Sequence, residues 1–192
     1  MKDNVVYNVG AGGISVKTLS NLFNDGWKEY TVDVAECNPD IVSNIVGLPG
    51  IEDESADAIW ASHVVEHVHF HELPDVFKAF VRVLKPNGVA YITVPDLGAI
   101  ADHIKNDILG VVYHSMGGPI TALDMIYGHR GQVKENSFMQ HKTGFTAGSL
   151  SSILCDLEIN ALVRSTGLEL EAVLYRDVYP HFIHDPNFLL RK

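Results

Sequence analysis

Basic residues are scarce in this chain: fourteen Lys and Arg against twenty-four Asp and Glu leave a net charge of −10 over 192 residues. With no run of Lys or Arg to grip a phosphate backbone, a nucleic-acid partner is not expected. Cysteine is scarcer still. Cys37 and Cys155 stand alone without CxxC spacing, so buried free thiols are expected rather than a disulfide or a thiolate metal site. Apolar runs are short. None reaches eighteen residues, and Met1-Lys2-Asp3-Asn4 leads straight into a strand pattern without a signal-peptide hydrophobic region, which predicts a cytoplasmic protein with no membrane insertion. Repeats and low-complexity tracts are missing as well. A hydrophobic content of 46% at this length fits one globular domain, residues 1–192, with a substantial core.

What is present begins with Tyr7-Asn8-Val9-Gly10-Ala11-Gly12-Gly13. Val5, Val6, Tyr7 and Val9 form a near-continuous apolar run, the pattern of a parallel strand covered on both faces. Gly10 and Gly12 can take positive φ and carry no Cβ, so the backbone can double back and let a ligand lie against bare peptide groups. Ile14, Val16, Leu19, Leu22 and Phe23 then give a helical stripe, whose N-terminal N–H groups are expected to meet the ligand. Residues 29–34 read as the next strand. Asp33 near its end is placed to accept hydrogen bonds from ribose hydroxyls, as an acid does in nucleotide-binding βαβ units.

Only six residues separate Asp33 and Val34 from the apolar pair Ile41-Val42, whereas a parallel crossover normally needs a dozen or more. The second crossover is therefore shortened: its helix is trimmed to a loop, or residues 41–45 form only a rudimentary edge strand. A sheet face left partly uncovered makes a homodimer plausible. Residues 56–61 read as another strand, ending in Ser62-His63-Val64-Val65-Glu66-His67. Leu73, Val76, Phe77, Phe80, Val81 and Leu84 recur at helical spacing, residues 85–88 give a turn signal, and residues 88–94 a further strand. Toward the end, Leu150, Ile153, Leu154, Leu157, Ala161 and Leu162 predict a helix capped by Thr146 and ended at Gly167. Residues 168–174 and 182–190 then read as two last strands, bent apart at Tyr179-Pro180.

The glycine turn, Asp33, residues 44–49, Ser55-Ala56-Asp57-Ala58-Ile59, the segment from Ser62 to His67, and Val83-Leu84-Lys85-Pro86-Asn87-Gly88-Val89 together resemble a class I S-adenosylmethionine-dependent methyltransferase of type 11. The resemblance spans residues 5–96. It implies an α/β Rossmann-like, mostly parallel sheet with helices on both faces and a C-terminal antiparallel strand, and S-adenosyl-L-methionine as cofactor. By the same resemblance Asn8, Gly10, Ala11 and Gly12 hold the methionine end, Asp33 and Val34 the ribose, and Asn44 and Ile45 the adenine, while Ser62, His63 and Val64 line the site. The chain departs from the family pattern in carrying Asn8 for the usual acid, Ile14 for a third glycine and Asn44 for the adenine-facing acid. An amide still hydrogen-bonds, so these changes weaken contacts without abolishing them.

His63-Val64-Val65-Glu66-His67 also spells H-x-x-E-H, a zinc-protease signature that needs a helix. A strand precedes it here, so no metal site is expected. Residues 97–146 differ from the rest: they hold seven of the sixteen glycines and balanced charge, and the remainder carries the whole −10. This irregular stretch is expected to insert as a lid and acceptor pocket, taking a small-molecule methyl acceptor. His141 is the first candidate for a base or acceptor-orienting group and His67 the second, with Tyr127, His129 and Arg130 nearby. An NAD-dependent oxidoreductase shares the turn and the acid but usually carries the full G-x-G-x-x-G, where Ser15 stands here. A non-catalytic binder on a degenerate methyltransferase fold is the other alternative.

Overall fold

The computed structural model describes residues 3–177 apart from residues 20, 24, 35–37 and 116–117. Its framework is a seven-stranded sheet built from β1 (Asn4–Val9), β2 (Trp27–Asp33), β3 (Ile41–Val42), β4 (Ala56–Ser62), β5 (Leu84–Pro95), β8 (Asn160–Thr166) and β9 (Glu169–Tyr175), in the order β3-β2-β1-β4-β5-β9-β8. Strands β1 to β5 pair in parallel, and β9 runs antiparallel between β5 and β8. The direction of winding reverses between β1 and β4. In open α/β sheets that switch point is where ligands bind, outside the carboxyl ends of the strands.

The apolar run of β1 does serve both faces. Tyr7 and Val9 join the larger core with Ile59, Ile92 and the buried sides of α2 (Leu73–Val83) and α6 (Ala147–Asp156). Val6 points the other way, into a smaller core with Val16, Phe23, Tyr91 and Val173. On that face α1 (Val16–Leu19) is only four residues long. Phe23 closes it by edge-on contacts with Trp27 and Trp60, ring centroids 5.0 and 5.8 Å apart.

Several expected boundaries move. Strand β3 is a two-residue edge strand. The residues 85–88 turn signal is absorbed as a bulge in β5: Ala56 pairs with Leu84 but Ala58 with Val89, leaving Pro86 and Asn87 exposed. Helix α6 is capped by Thr146, whose side chain accepts from the Ser149 N–H, but it stops at Asp156. Glu158 turns the backbone at φ 58, and Ala161 and Val163 then pack on the core from a strand. Gly167, φ 78, sits in the β8–β9 hairpin and not at a helix end. The last strand among the described residues is Glu169–Tyr175, and Tyr179-Pro180 and residues 182–190 lie outside the described residues. Cys155 is exposed rather than buried, because it falls on the solvent side of α6; Cys37 lies outside the described residues.

Residues 97–146 are more ordered than the sequence suggests. They hold α3 (Leu97–Lys105), the antiparallel pair β6 (Val111–Ser115) and β7 (Gly118–Thr121), α4 (Ala122–Tyr127) and α5 (Arg130–Val133). Ile100, Ile120, Ala122 and Met125 give this insertion a small core of its own. No helix among the described residues is long and apolar enough to cross a membrane.

Candidate functional site

A cavity of about 730 Å³ opens at the switch point, within the range of small-molecule sites. One wall comes from the carboxyl ends of β1, β2, β4 and β5; the other comes from the insertion. All eleven residues expected to touch a cofactor, Asn8, Gly10, Ala11, Gly12, Asp33, Val34, Asn44, Ile45, Ser62, His63 and Val64, line it, together with His67 and His141.

The glycine turn is held from below and from the side. Gly10, Gly12 and Gly13 all have positive φ, at 70, 55 and 80°. Space in front of Gly12 is open, whereas a Cβ on Gly10 would run into the Val64 side chain. Gly10→Ala should therefore combine a left-handed backbone with overpacking and cost about 1–3 kcal/mol. Thermal unfolding measures this, and an unchanged melting temperature would show that the turn relaxes around Val64. Asp33 fixes the other side. Its Oδ2 accepts from the Gly12 N–H at 2.8 Å and its Oδ1 from the Val34 N–H at 2.7 Å.

The N-terminus of α1 is tied to Glu29. Its Val16 N–H donates to Glu29 Oε1 at 2.6 Å, and Ser15 donates to Glu29 Oε2 at 2.5 Å. Glu29 also accepts from Asn8 Nδ2 at 2.9 Å, and the same amide donates to the Ile14 carbonyl at 2.7 Å. The acid missing from β1 is thus supplied by β2. Parallel pairing of Val6 with Glu29 brings it there, a register that sequence inspection alone does not reveal. Asn44 accepts from the Val46 N–H at 2.9 Å, which shapes its own loop at the cavity edge.

Beyond Ser62, which shares a hydrogen bond with Thr93 at 2.9 Å, the chain makes one helical turn rather than a helix. His63 has φ 53. Its Nε2 lies 3.0 Å from Glu169 and its Nδ1 3.3 Å from Glu66. Burial alone would lower the His63 pKa, but the two carboxylates raise it to about 10, so this ring is an imidazolium at neutral pH. Glu66 is fully buried, and neither carboxylate oxygen has a partner in hydrogen-bond geometry. Burial alone would raise its pKa, and the His63 charge beside it holds it below the ordinary range.

His141 reaches the same place from the insertion. The His67 and His141 rings meet edge to face, 4.8 Å between centroids. The Lys142 and Thr143 N–H groups both donate to the Glu66 carbonyl, at 2.8 and 3.1 Å, and lock this segment against the turn after β4. His141 Nδ1 lies 3.0 Å from the Met125 carbonyl and His67 Nδ1 3.1 Å from the Gln140 carbonyl. A carbonyl only accepts, so both Nδ1 atoms are donors, and in the neutral form of such a ring the lone pair sits on Nε2. Burial lowers the His141 pKa, which keeps that ring neutral.

The insertion's other candidates separate. His129 lines the cavity, and both its ring nitrogens are buried without a hydrogen-bond partner. Arg130 is turned aside, its Nε donating to Asp124 Oδ1 at 2.8 Å and its Nη2 to Thr121 at 2.9 Å. Tyr127 is 59% exposed and does not line the cavity.

Residues 8–92 match the model of a family described as a methyltransferase domain. Solved structures share the fold across nearly all of the chain. A Pyrococcus horikoshii protein aligns at 18% identity over 92% of this chain and 83% of its own, TM-score 0.61. An S-adenosylmethionine-dependent methyltransferase from Methanosarcina mazei aligns at 16% identity over 93% and 95%, TM-score 0.59. A Burkholderia thailandensis 1,6-didemethyltoxoflavin N1-methyltransferase, solved with that compound and S-adenosylhomocysteine, aligns at 14% identity over 92% and 72%, TM-score 0.55. No curated protein matches the chain in sequence. Residues 8–92 thus match a methyltransferase-domain model, and the chain as a whole shares the fold of these solved structures.

Proposed function

We propose that this protein transfers a methyl group from S-adenosyl-L-methionine to a small-molecule acceptor held between the sheet and residues 97–146. The observation that carries the reading is one cavity lined on one side by the glycine turn and Asp33 and on the other by insertion residues including His129 and His141. The residues fit such a cofactor. Each Asp33 oxygen spends one lone pair on the backbone and keeps another for a ribose hydroxyl. The left-handed Gly12, with open space before it, allows close approach of the methionine end. When bound, the cofactor supplies an electrophilic methyl on a sulfonium.

This chain's residues then position the acceptor and exclude water, which supplies most of the help an in-line displacement needs. His141 and His67 face the acceptor. An Nε2 lone pair there can receive the acceptor's polar hydrogen. The carboxylate of Glu66, 3.9 Å from His141 Nε2, favours positive charge there. A protein of net charge −10 suits a small acceptor better than a polyanion. The class is tested by calorimetry. S-adenosylmethionine should bind one per chain and NAD should not; NAD binding without S-adenosylmethionine binding would replace the reading with an oxidoreductase.

A further inference from the structure

Glu66, His67 and His141 do not belong together in the sequence, yet each offers one ligand atom within 4.8 Å of the other two. We propose that these three side chains bind a divalent transition-metal ion of the zinc and cobalt type, at the acceptor end of the cavity. This reverses the expectation drawn from the strand before His63. The H-x-x-E-H reading fails in its own form, since His63 is committed to Glu66 and Glu169, and His141 takes its place.

Two observations carry the site. First, both histidines spend Nδ1–H on a backbone carbonyl, and His141 Nε2 faces Glu66 Oε1 at 3.9 Å. That is the arrangement by which metal-binding imidazoles are oriented, the second ring nitrogen being tied to a carbonyl or carboxylate. Second, Glu66 is completely buried with both oxygens outside hydrogen-bond geometry, a costly state for a carboxylate with nothing more to bind.

Geometry and donor type then narrow the ion. Tetrahedral ligands about 2.0–2.1 Å from zinc stand roughly 3.4 Å apart. His141 Nε2 and Glu66 Oε1 are 3.9 Å apart and the whole set lies within 4.8 Å, so side-chain rotation must draw the three together. Two imidazoles and one carboxylate suit zinc, cobalt or iron, whereas magnesium and calcium favour all-oxygen sets. Three protein ligands leave coordination positions open. His67 and His141 both line the cavity, so those positions face it, and an acceptor with a hydroxyl or carboxylate oxygen can complete the shell. That role rests on the methyltransferase reading; the ion site itself does not.

Cobalt(II) titration of the full chain, freed of metal by chelation, tests the proposal through visible absorption bands and calorimetry. One equivalent should bind and zinc should displace it. His67→Ala and His141→Ala should each lower the affinity at least about tenfold, with melting temperature recorded to confirm folding. Glu66→Gln is a third variant; if it does not fold, the two histidine variants decide. His69 and His71, exposed and stacked 5.6 Å apart, are the rival surface chelator. Binding that survives His141→Ala and is lost in the His69→Ala, His71→Ala double variant would overturn the site, as would failure to bind one equivalent. S-adenosylmethionine affinity measured on the same samples keeps the two readings apart. Cofactor binding without cobalt sinks the metal site alone, and cobalt binding without the cofactor sinks the methyltransferase reading alone.

Discussion

Asp33→Ala should weaken S-adenosylmethionine binding by about 1.5–3 kcal/mol, the range for hydrogen bonds to a charged group, which is roughly a ten- to hundredfold loss of affinity. The carboxylate does two things at once. It ties the Gly12 and Val34 N–H groups, and it presents its remaining lone pairs to the cavity. Removing it frees the turn and deletes the ribose acceptor, so the loss should fall on cofactor affinity more than on the fold. The glycine turn keeps its other supports, since Glu29 still holds Asn8, Ser15 and Val16. Calorimetry against melting temperature separates the contributions. A variant that melts normally and binds the cofactor as tightly as the parent would take Asp33 out of the site.

How far the sequence carried this reading depends on the range of the interaction concerned. Strand β1, the turn and Asp33 were legible because each is a local pattern: an apolar run, glycines, an acid at a strand end. Helix α2 was legible for the same reason, its buried Leu73, Val76, Phe77, Phe80 and Val83 falling on one face. Thr146 was legible as a cap from its place just before the apolar stripe.

Glu29 was not legible. Its partners lie thirteen to twenty-one residues away, and only the β1–β2 register makes the contacts. Where Asn8 looked like a defect in the motif, the neighbouring strand had moved the negative charge by one strand spacing. The end of α6 misled for a different reason: Leu157, Ala161 and Leu162 keep helical spacing, and Ala161 and Val163 keep strand spacing too. A left-handed Glu158 decides between them. The insertion, with seven glycines and no strong period, hides a core whose members Ile100, Ile120, Ala122 and Met125 come from three separate elements. Sequence position pointed to His141, but not to Glu66 as its partner, because Glu66 reads as one exposed-looking acid in a histidine-rich run.

The His141→Ala variant should lower turnover at saturating cofactor and acceptor at least tenfold while leaving cofactor affinity little changed. Positioned proton-transfer groups typically contribute about a hundred- to ten-thousandfold, and the loss of a ligand from an ion that holds the acceptor would act in the same direction. The selectivity follows from where the ring sits. Gly12, Asp33 and Asn44 stand at the ends of β1 to β3, whereas His141 enters from the insertion and meets His67 and Glu66 after β4. A structural role predicts something else. The His141 N–H donates to the Tyr127 carbonyl at 3.2 Å, a backbone contact that alanine keeps; the ring's bond to the Met125 carbonyl, worth about 0.5–1.5 kcal/mol, is lost together with its edge contact on His67. If these contacts were the whole contribution, melting temperature and cofactor affinity would fall together and turnover at saturation would be normal. His141→Gln sharpens the distinction. Its amide can still donate to Met125 but supplies no imidazole lone pair, so it should regain stability and not turnover. Recovery of turnover in the glutamine variant would make His141 a packing residue and leave His129, which lines the same cavity with both ring nitrogens unpartnered, as the group to test next.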